Sequence, residues 1–263
     1  MQDDISRTSL GLGRIIAIGW GQYLANFLPI LAIVLIIYVP INVALSFVPL
    51  DYLIEQYGFR AFRIYMSLVR LSEFLIGVIA TIAIATLVDH SLRGIRISWL
   101  AALRHGLRRW WASIFTGLLA GLIILGMTLL LIVPGIIWSL YYYMFIFVVA
   151  LRSLSGKKAL DYSKSIVKGQ WWRVLGYIIV IELFSACIML PIIILYFFAP
   201  DSQLLDILSD TLIDIVAALS TVMTVVFFLN NDYLRNFPPP PIAPLPTPPA
   251  LPDNDTAFML PRA

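Results

Sequence analysis

The chain is predicted to be an all-α, polytopic membrane helical bundle with six transmembrane helices, and three observations predict it. Hydrophobic residues make up 60% of its 263 residues and charged residues 13%, against roughly a quarter charged in an ordinary soluble domain. Apolar runs recur along the chain, each near the ~20 residues that a helix rising about 1.5 Å per residue needs to cross a hydrocarbon core about 30 Å thick. The lysines and arginines are divided very unevenly between the links that join those runs. A water-soluble fold has nowhere to hide that much apolar surface. A bilayer does.

Residues 1–27 open polar and then become amphipathic: Leu12, Ile15, Ile16, Trp20, Tyr23, Leu24 and Phe27 recur at three- and four-residue steps. That period suits a helix lying in the headgroup region. Asp3 and Asp4, with no short apolar region and cleavage site after them, lead us to expect no removable signal peptide. Gly11–Gly13 lacks a preceding strand and is not a dinucleotide fingerprint.

The first crossing is expected at about Leu28–Phe47, with Pro29 at its start and Pro40 as a kink. A polar excursion over 48–70 follows, then a second crossing at about Leu71–Asp89. Ser98 is a plausible N-cap for a surface helix in which Trp99, Leu100, Leu103, Leu107 and Trp110 form one stripe. The third crossing, Ala112–Val133, carries Ser113, Gly117 and Gly121 at four-residue spacing, which suits close helix packing. Pro134–Gly135 is then expected to turn the chain in a tight hairpin into a fourth crossing ending near Leu151.

Ser155 is expected to cap a third amphipathic helix, with Lys157, Asp161, Lys164 and Lys168 on one face. The fifth crossing is placed at about Trp172–Phe198, an acidic turn at Asp201, Asp206 and Asp210, and the sixth crossing at about Thr211–Asn230. The chain thus divides into a six-span membrane domain, 1–236, and a Pro-rich tail, 237–263. Nine of the fifteen residues Pro238–Pro252 are proline, a composition for a disordered, extended tail.

With six crossings, all of the 18 lysines and arginines except Arg60, Arg63 and Arg70 fall on the side of the termini. The positive-inside rule then places both termini, and the three amphipathic interfacial helices, in the cytoplasm. Five or seven crossings would spoil the split.

Three segments resemble a group of bacterial six-span membrane proteins: LRHGLRRWW at Leu103–Trp111, VPGI at Val133–Ile136, and KALDYSKSIVKGQWWRVLG at Lys158–Gly176. The ending NDYLRN at Asn231–Asn236 is similar to that group's closing stretch with its residues reordered. The group includes the membrane domain attached to some glycerophosphodiester phosphodiesterases and its stand-alone relatives. The resemblance covers roughly 10–236 and implies a bacterial inner-membrane location. It carries no enzymatic activity across, since the phosphodiesterase chemistry belongs to a separate soluble barrel.

The candidate functional residues fall into groups. Glu182, eleven residues beyond Trp171, lies roughly 16 Å along its helix, near the midplane. A charge there costs about 2.5–3.5 kcal/mol on insertion scales, so Glu182 is expected to face inward and to accept a hydrogen bond from one of Tyr141, Tyr142 and Tyr143 at matching depth. It is read either as a structural clamp or as a proton or substrate site. Arg104, Arg108 and Arg109, with Lys164, Lys168 and Arg173, sit beside Trp110, Trp111, Trp171 and Trp172, a combination for anionic headgroups at about 1 kcal/mol per cation. Simple anchoring explains these residues, and a defined headgroup pocket is the sharper alternative. Asp206, Asp210 and Asp214 recur every four residues; the last is a candidate partner for Arg60, Arg63 or Arg70. His90 and His105 have no catalytic partner at a recognisable spacing.

One cysteine, Cys187, gives no disulfide and no metal cluster, so neither metal nor cofactor is expected. Nucleic acid is not an expected partner, because the positives are split between membrane-flanking links. The expected partners are membrane phospholipids and a further membrane protein. The function expected first is a non-enzymatic membrane component that binds lipid or a partner through its cytoplasmic basic helices. The alternative is a small transporter or lipid-handling permease built on Glu182.

Overall fold

The computed structural model describes residues 10–198 and 202–236, so the Pro-rich tail and Asp201 lie outside the described residues. Twelve segments carry the fold. They are α1 (Leu12–Ala25), α2 (Phe27–Ser46), α3 (Leu50–Tyr57) and α4 (Phe59–Ser72), then a π-helical turn at Glu73–Gly77 leading into α5 (Val78–Leu92). There follow α6 (Trp99–Leu130), α7 (Ile132–Tyr142), α8 (Phe145–Arg152), α9 (Gly156–Val167), α10 (Trp171–Phe197) and α11 (Gln203–Asn236). No strand occurs among the described residues. Among the described residues, six helical stretches are long and apolar enough to cross a membrane: Phe27–Ser46, Phe59–Leu92, Trp99–Leu130, Ile132–Arg152, Trp171–Tyr196 and Gln203–Asn236.

The core forms where α11 runs through the bundle. Val222 and Met223 are buried, and so is every residue from Val225 to Leu229, so this part of α11 is covered on all sides. It is packed by α1, α2, α5 and α10. Helix α5 is equally enclosed from Val78 to Asp89. By contrast α10 buries one narrow row, Val174, Tyr177, Ile181 and Ser185, whose three- and four-residue steps keep it on one face. A helix apolar all round but covered on one side has its remaining face for lipid or for another protein.

Local chemistry explains several boundaries. Ser98 caps α6 as expected, accepting from the Ala101 N–H at 3.2 Å. Pro40 is carried inside α2, which continues past it to Ser46. The turn between the third and fourth crossings falls at Leu131 alone, whose extended backbone (φ −161°, ψ 142°) interrupts the helix. Pro134 and Gly135 therefore lie in the first turn of α7 and do not form the hairpin turn. Gly135 acts instead at a close approach: a Cβ there would sit 2.2 Å from the Thr128 Oγ1 and 3.0 Å from the Thr128 Cα.

Two other expectations are corrected. The stretch from Trp99 to Trp111 is not a separate surface helix, since α6 runs unbroken for 32 residues. No Gly or Pro separates its amphipathic start from its apolar remainder, and Trp110 ties the start to the second crossing. Ser155 precedes α9 but makes no capping bond; the Gly156 N–H is satisfied by the Thr116 Oγ1 at 2.7 Å.

Helix α1 is held to α11 by the Tyr23 hydroxyl, which donates to the Ile215 carbonyl at 2.8 Å. Burial pushes the Tyr23 phenol up from 10.0 to about 12. Because the folded-state value is the higher one, this stabilisation is intact below pH ~10 and is lost as pH rises towards 12. Thermal unfolding in detergent between those pH values is expected to weaken less steeply in Tyr23→Phe than in the parent chain; identical slopes would remove Tyr23 from the account.

Candidate functional site

Two polar assemblies sit at opposite ends of the bundle. The first gathers the ends of α8, α9 and α11. Asp232 is fully buried and receives Arg152 through Nε at 2.9 Å and also through Nη2. The Tyr162 hydroxyl donates to its other oxygen at 2.5 Å. Asn236 donates to the Tyr162 hydroxyl at 3.0 Å, and the Arg235 guanidinium lies over the Tyr162 ring at 4.6 Å. Burial first, and the Asp232 hydrogen bond second, hold the Tyr162 phenol above its usual value. Beside it the Asn230 Oδ1 accepts from the Leu10 N–H at 3.2 Å, and Gln170 reaches Asn231 at 3.3 Å. Asn230, Asn231 and Asp232 are all buried, so this is a structural latch with every strong group answered.

The basic residues expected at a lipid surface divide. Arg104, Arg108, Lys157, Lys158 and Lys168 are exposed. Arg109 bonds Ser153. Lys164 lies 4.1 Å over the Trp138 ring. Arg173 is turned onto the Leu10 carbonyl and the Gln170 Oε1, each at 3.3 Å. The tryptophan pairs split too: Trp111 and Trp172 are exposed, whereas Trp110 and Trp171 are half-buried, with Trp171 and Trp172 stacked at 4.0 Å. The Trp110 indole donates to the Leu75 carbonyl, which lies within the π-helical turn. That turn shifts the backbone bonding register, and the indole supplies a donor there.

Glu182 makes no hydrogen bond to Tyr141, Tyr142 or Tyr143, although Tyr143 lies within its electrostatic reach. Glu182 is exposed on the outer side of α10. The buried row of α10 passes through Ile181 and Ser185, and Glu182 lies one residue, about 100°, round from Ile181. Tyr142 is buried within its own helix pair and Tyr141 offers its carbonyl to Ser163 at 2.7 Å. Both histidines meet main-chain carbonyls: His90 Nδ1 and Thr86 at 2.8 Å, His105 Nε2 and Ala150 at 3.0 Å.

The second assembly is a cleft between α2, the α4–α5 helix and α11 at the other end. A cavity of about 600 Å³ is lined by Ser46, Tyr52, Tyr65, Tyr196, Asp206 and Asp210, among others. It shares Tyr65 and Asp210 with a cavity of about 250 Å³ that adds Tyr38, Asn42, Ser72, Glu73 and Asp214. That one shares Tyr38 and Asp214 with a pocket of about 40 Å³ ending at Thr81, Ala217 and Thr221. Asp206, Asp210 and Asp214 thus line one path, because four-residue steps keep them on one face of α11. Asp214 accepts from the Asn42 Nδ2 at 2.8 Å, and Asp206 from the Tyr196 hydroxyl at 2.8 Å. Asp214 has Asn42 as its bonded partner, not Arg60, Arg63 or Arg70, which are exposed on α4. Below Thr221 the apolar core closes the path.

Sequence reasoning found the aspartate row but not the cleft; it missed Tyr38 and Asn42, and placed Glu73 only at the outer edge of the second crossing. Three carboxylates in register on an otherwise apolar helix were the available signal. The fold and these sites define a polytopic α-helical membrane protein with a latched polar end and a carboxylate-lined cleft. Comparison with family models, with characterised proteins and with solved structures gave no match.

Proposed function

We propose that the protein is a non-enzymatic, multi-pass component of a bacterial inner membrane, with both termini cytoplasmic, that admits a small organic cation into its cleft from the outer side and acts as a transporter. One observation carries this reading: three successive cavities, each sharing lining residues with the next, lead past Asp206, Asp210 and Asp214 into the bundle. Ionisable groups within apolar spans are costly and mark solute or proton paths. The π-helical turn that begins at Glu73 supports it, since such bulges recur at functional sites. The carboxylates are strung along the cleft; among the described residues no three His, Cys, Asp or Glu are grouped to hold a metal ion. An elongated cation bearing several N–H donors suits that string, with phenols and Asn42 supplying further acceptors. The positive-inside split supports the orientation.

The test uses the full chain in proteoliposomes with ethidium as the probe cation and an entrapped pH dye. Uptake above empty vesicles is expected, with Asp214→Asn reduced to the background and Asp161→Asn, exposed on α9, unchanged. Wild-type uptake no greater than that of empty vesicles would sink the proposal.

A second reading, binding of anionic phospholipid at the basic end, is favoured by a cavity of about 570 Å³ lined by Asn26, Ser91, Gly94 and Arg96. There Asn26 donates to the Ser91 Oγ at 2.9 Å. Phosphatidylglycerol co-purifying with the wild type and lost from Arg96→Gln is the expected result; equal retention by both argues for anchoring alone.

A further inference from the structure

The cleft repeats at a fixed interval and ends on open acceptors. Asp206, Asp210 and Asp214 follow at four-residue steps on α11, so they stand about 6 Å apart along its axis and about 12 Å from first to last. Asn42 is only 7% exposed and gives its amide N–H groups to the Asp214 Oδ2 at 2.8 Å and the Thr211 Oγ1 at 3.4 Å. Its own Oδ1 accepts no hydrogen bond among the described residues, and Asn42 lines the inner cavity of about 250 Å³. The Asp214 Oδ1 is open in the same way. Glu73 lines that cavity too, reaching it from the π-helical turn. Among the described residues no Lys, Arg or His lines any of the three cavities. Buried acceptors are normally answered, so this end of the path is built to receive N–H donors.

We infer that the cation is a linear aliphatic polyamine, with a primary ammonium held at Asp214 and Asn42 and its further amines at Asp210 and Asp206. This rests on the reading of the cleft as a cation site and names the ligand class. An alkylammonium has three N–H donors and no acceptor, which suits the Asp214 Oδ1, the Asn42 Oδ1 and the Glu73 carboxyl. An extended chain advances about 1.2 Å per bond, three bonds making a residue of about 3.6 Å. Nitrogens separated by three or four methylenes therefore lie about 5–6 Å apart, the interval between successive aspartates. The methylenes meet Leu45 and Ile213, which line both larger cavities, and then Ile41, Met66 and Val69 of the inner one. Aliphatic amines keep their protons at neutral pH as lysine does, so each aspartate meets one positive charge. A quaternary cation lacks the N–H donors. A divalent metal ion needs its oxygens within about 2.6 Å of one point, which carboxyls strung out along a helix do not provide.

The test takes the full chain purified in detergent, with radiolabelled spermidine as the probe and equilibrium dialysis as the readout. Saturable binding is expected. Spermidine with every nitrogen fully methylated keeps the length and charge but has no N–H, and should compete about tenfold less well, the loss of one charge-assisted hydrogen bond. Diaminopropane, too short to reach from Asp214 beyond Asp210, should also compete less well. Asp206→Asn, which keeps an acceptor for the Tyr196 hydroxyl, should narrow the gap between spermidine and diaminopropane. No spermidine binding, equal competition by the methylated analogue or by diaminopropane, or a gap unchanged in Asp206→Asn overturns the inference. Ethidium uptake into proteoliposomes beside such a result leaves the transport reading standing. Spermidine bound as expected, with no uptake of ethidium, removes transport and keeps the ligand.

Discussion

Asp232→Ala is expected to destabilise the protein by about 3–5 kcal/mol, the usual consequence of removing one partner from a buried ion pair. The Asp232 side chain has no exposure and that of Arg152 only 27%, so the guanidinium left behind has little water to turn to. Tyr162 loses its acceptor at the same time, and with it one of the contacts that pin α9 to the end of α11. Asp232→Asn preserves shape and one acceptor but not the charge, and should fall between wild type and alanine. Another ion pair among the described residues, Asp89 with Arg93 at 2.9 Å, has its arginine 37% exposed. Arg93→Gln should therefore cost no more than about 1 kcal/mol, the range of surface pairs. Thermal unfolding in a mild detergent separates the cases. A loss for Asp232→Ala as small as that for Arg93→Gln would show that the latch is solvated.

The second large effect is one of sign. Gly106→Ala and Gly121→Ala are the same substitution in the same helix, α6, and should act in opposite directions. A Cβ at Gly106 would lie 2.7 Å from the Ile79 carbonyl oxygen, part of a backbone that cannot swing aside, whereas Gly121 has nothing within 4 Å. Overpacking at Gly106 forces α6 away from α5 at about 1–3 kcal/mol, strains the Trp110–Leu75 bond next to it, and outweighs the gain in helix propensity. At Gly121 that gain, up to about 1 kcal/mol, stands alone. Two changes of the same sign, measured by unfolding temperature, would mean that α5 and α6 are not in contact at Gly106.

These glycines also show where reading the chain stopped. The four-residue spacing of Ser113, Gly117 and Gly121 marked a small-residue face, but the spacing itself does not say which neighbour arrives or at what height. In α6 the close approach to a neighbouring helix's backbone lies a few turns earlier, at Gly106, while Gly121 stays open. Glu182 is the clearest miss. Its depth along α10 follows from counting, but which way it points depends on how α10 is rotated against α11, and that rotation was set by Tyr177 and Phe227 packing. The polar pairings that matter, Asn42 with Asp214, Arg152 with Asp232 and Gln170 with Asn231, each join residues 60 or more positions apart. No local pattern carries that information.

The sequence alone determined the helical, six-crossing character of the chain and the unequal sharing of its cations. Those follow from one local fact, that a backbone in hydrocarbon must bond to itself and therefore takes helix wherever about 20 apolar residues run together. Tertiary structure alone decided that Leu131 makes the turn, that the aspartate row lines a cleft, and that Glu182 looks outward. Each depends on which faces of separate helices meet, and that choice is made by the packing of side chains distant in sequence.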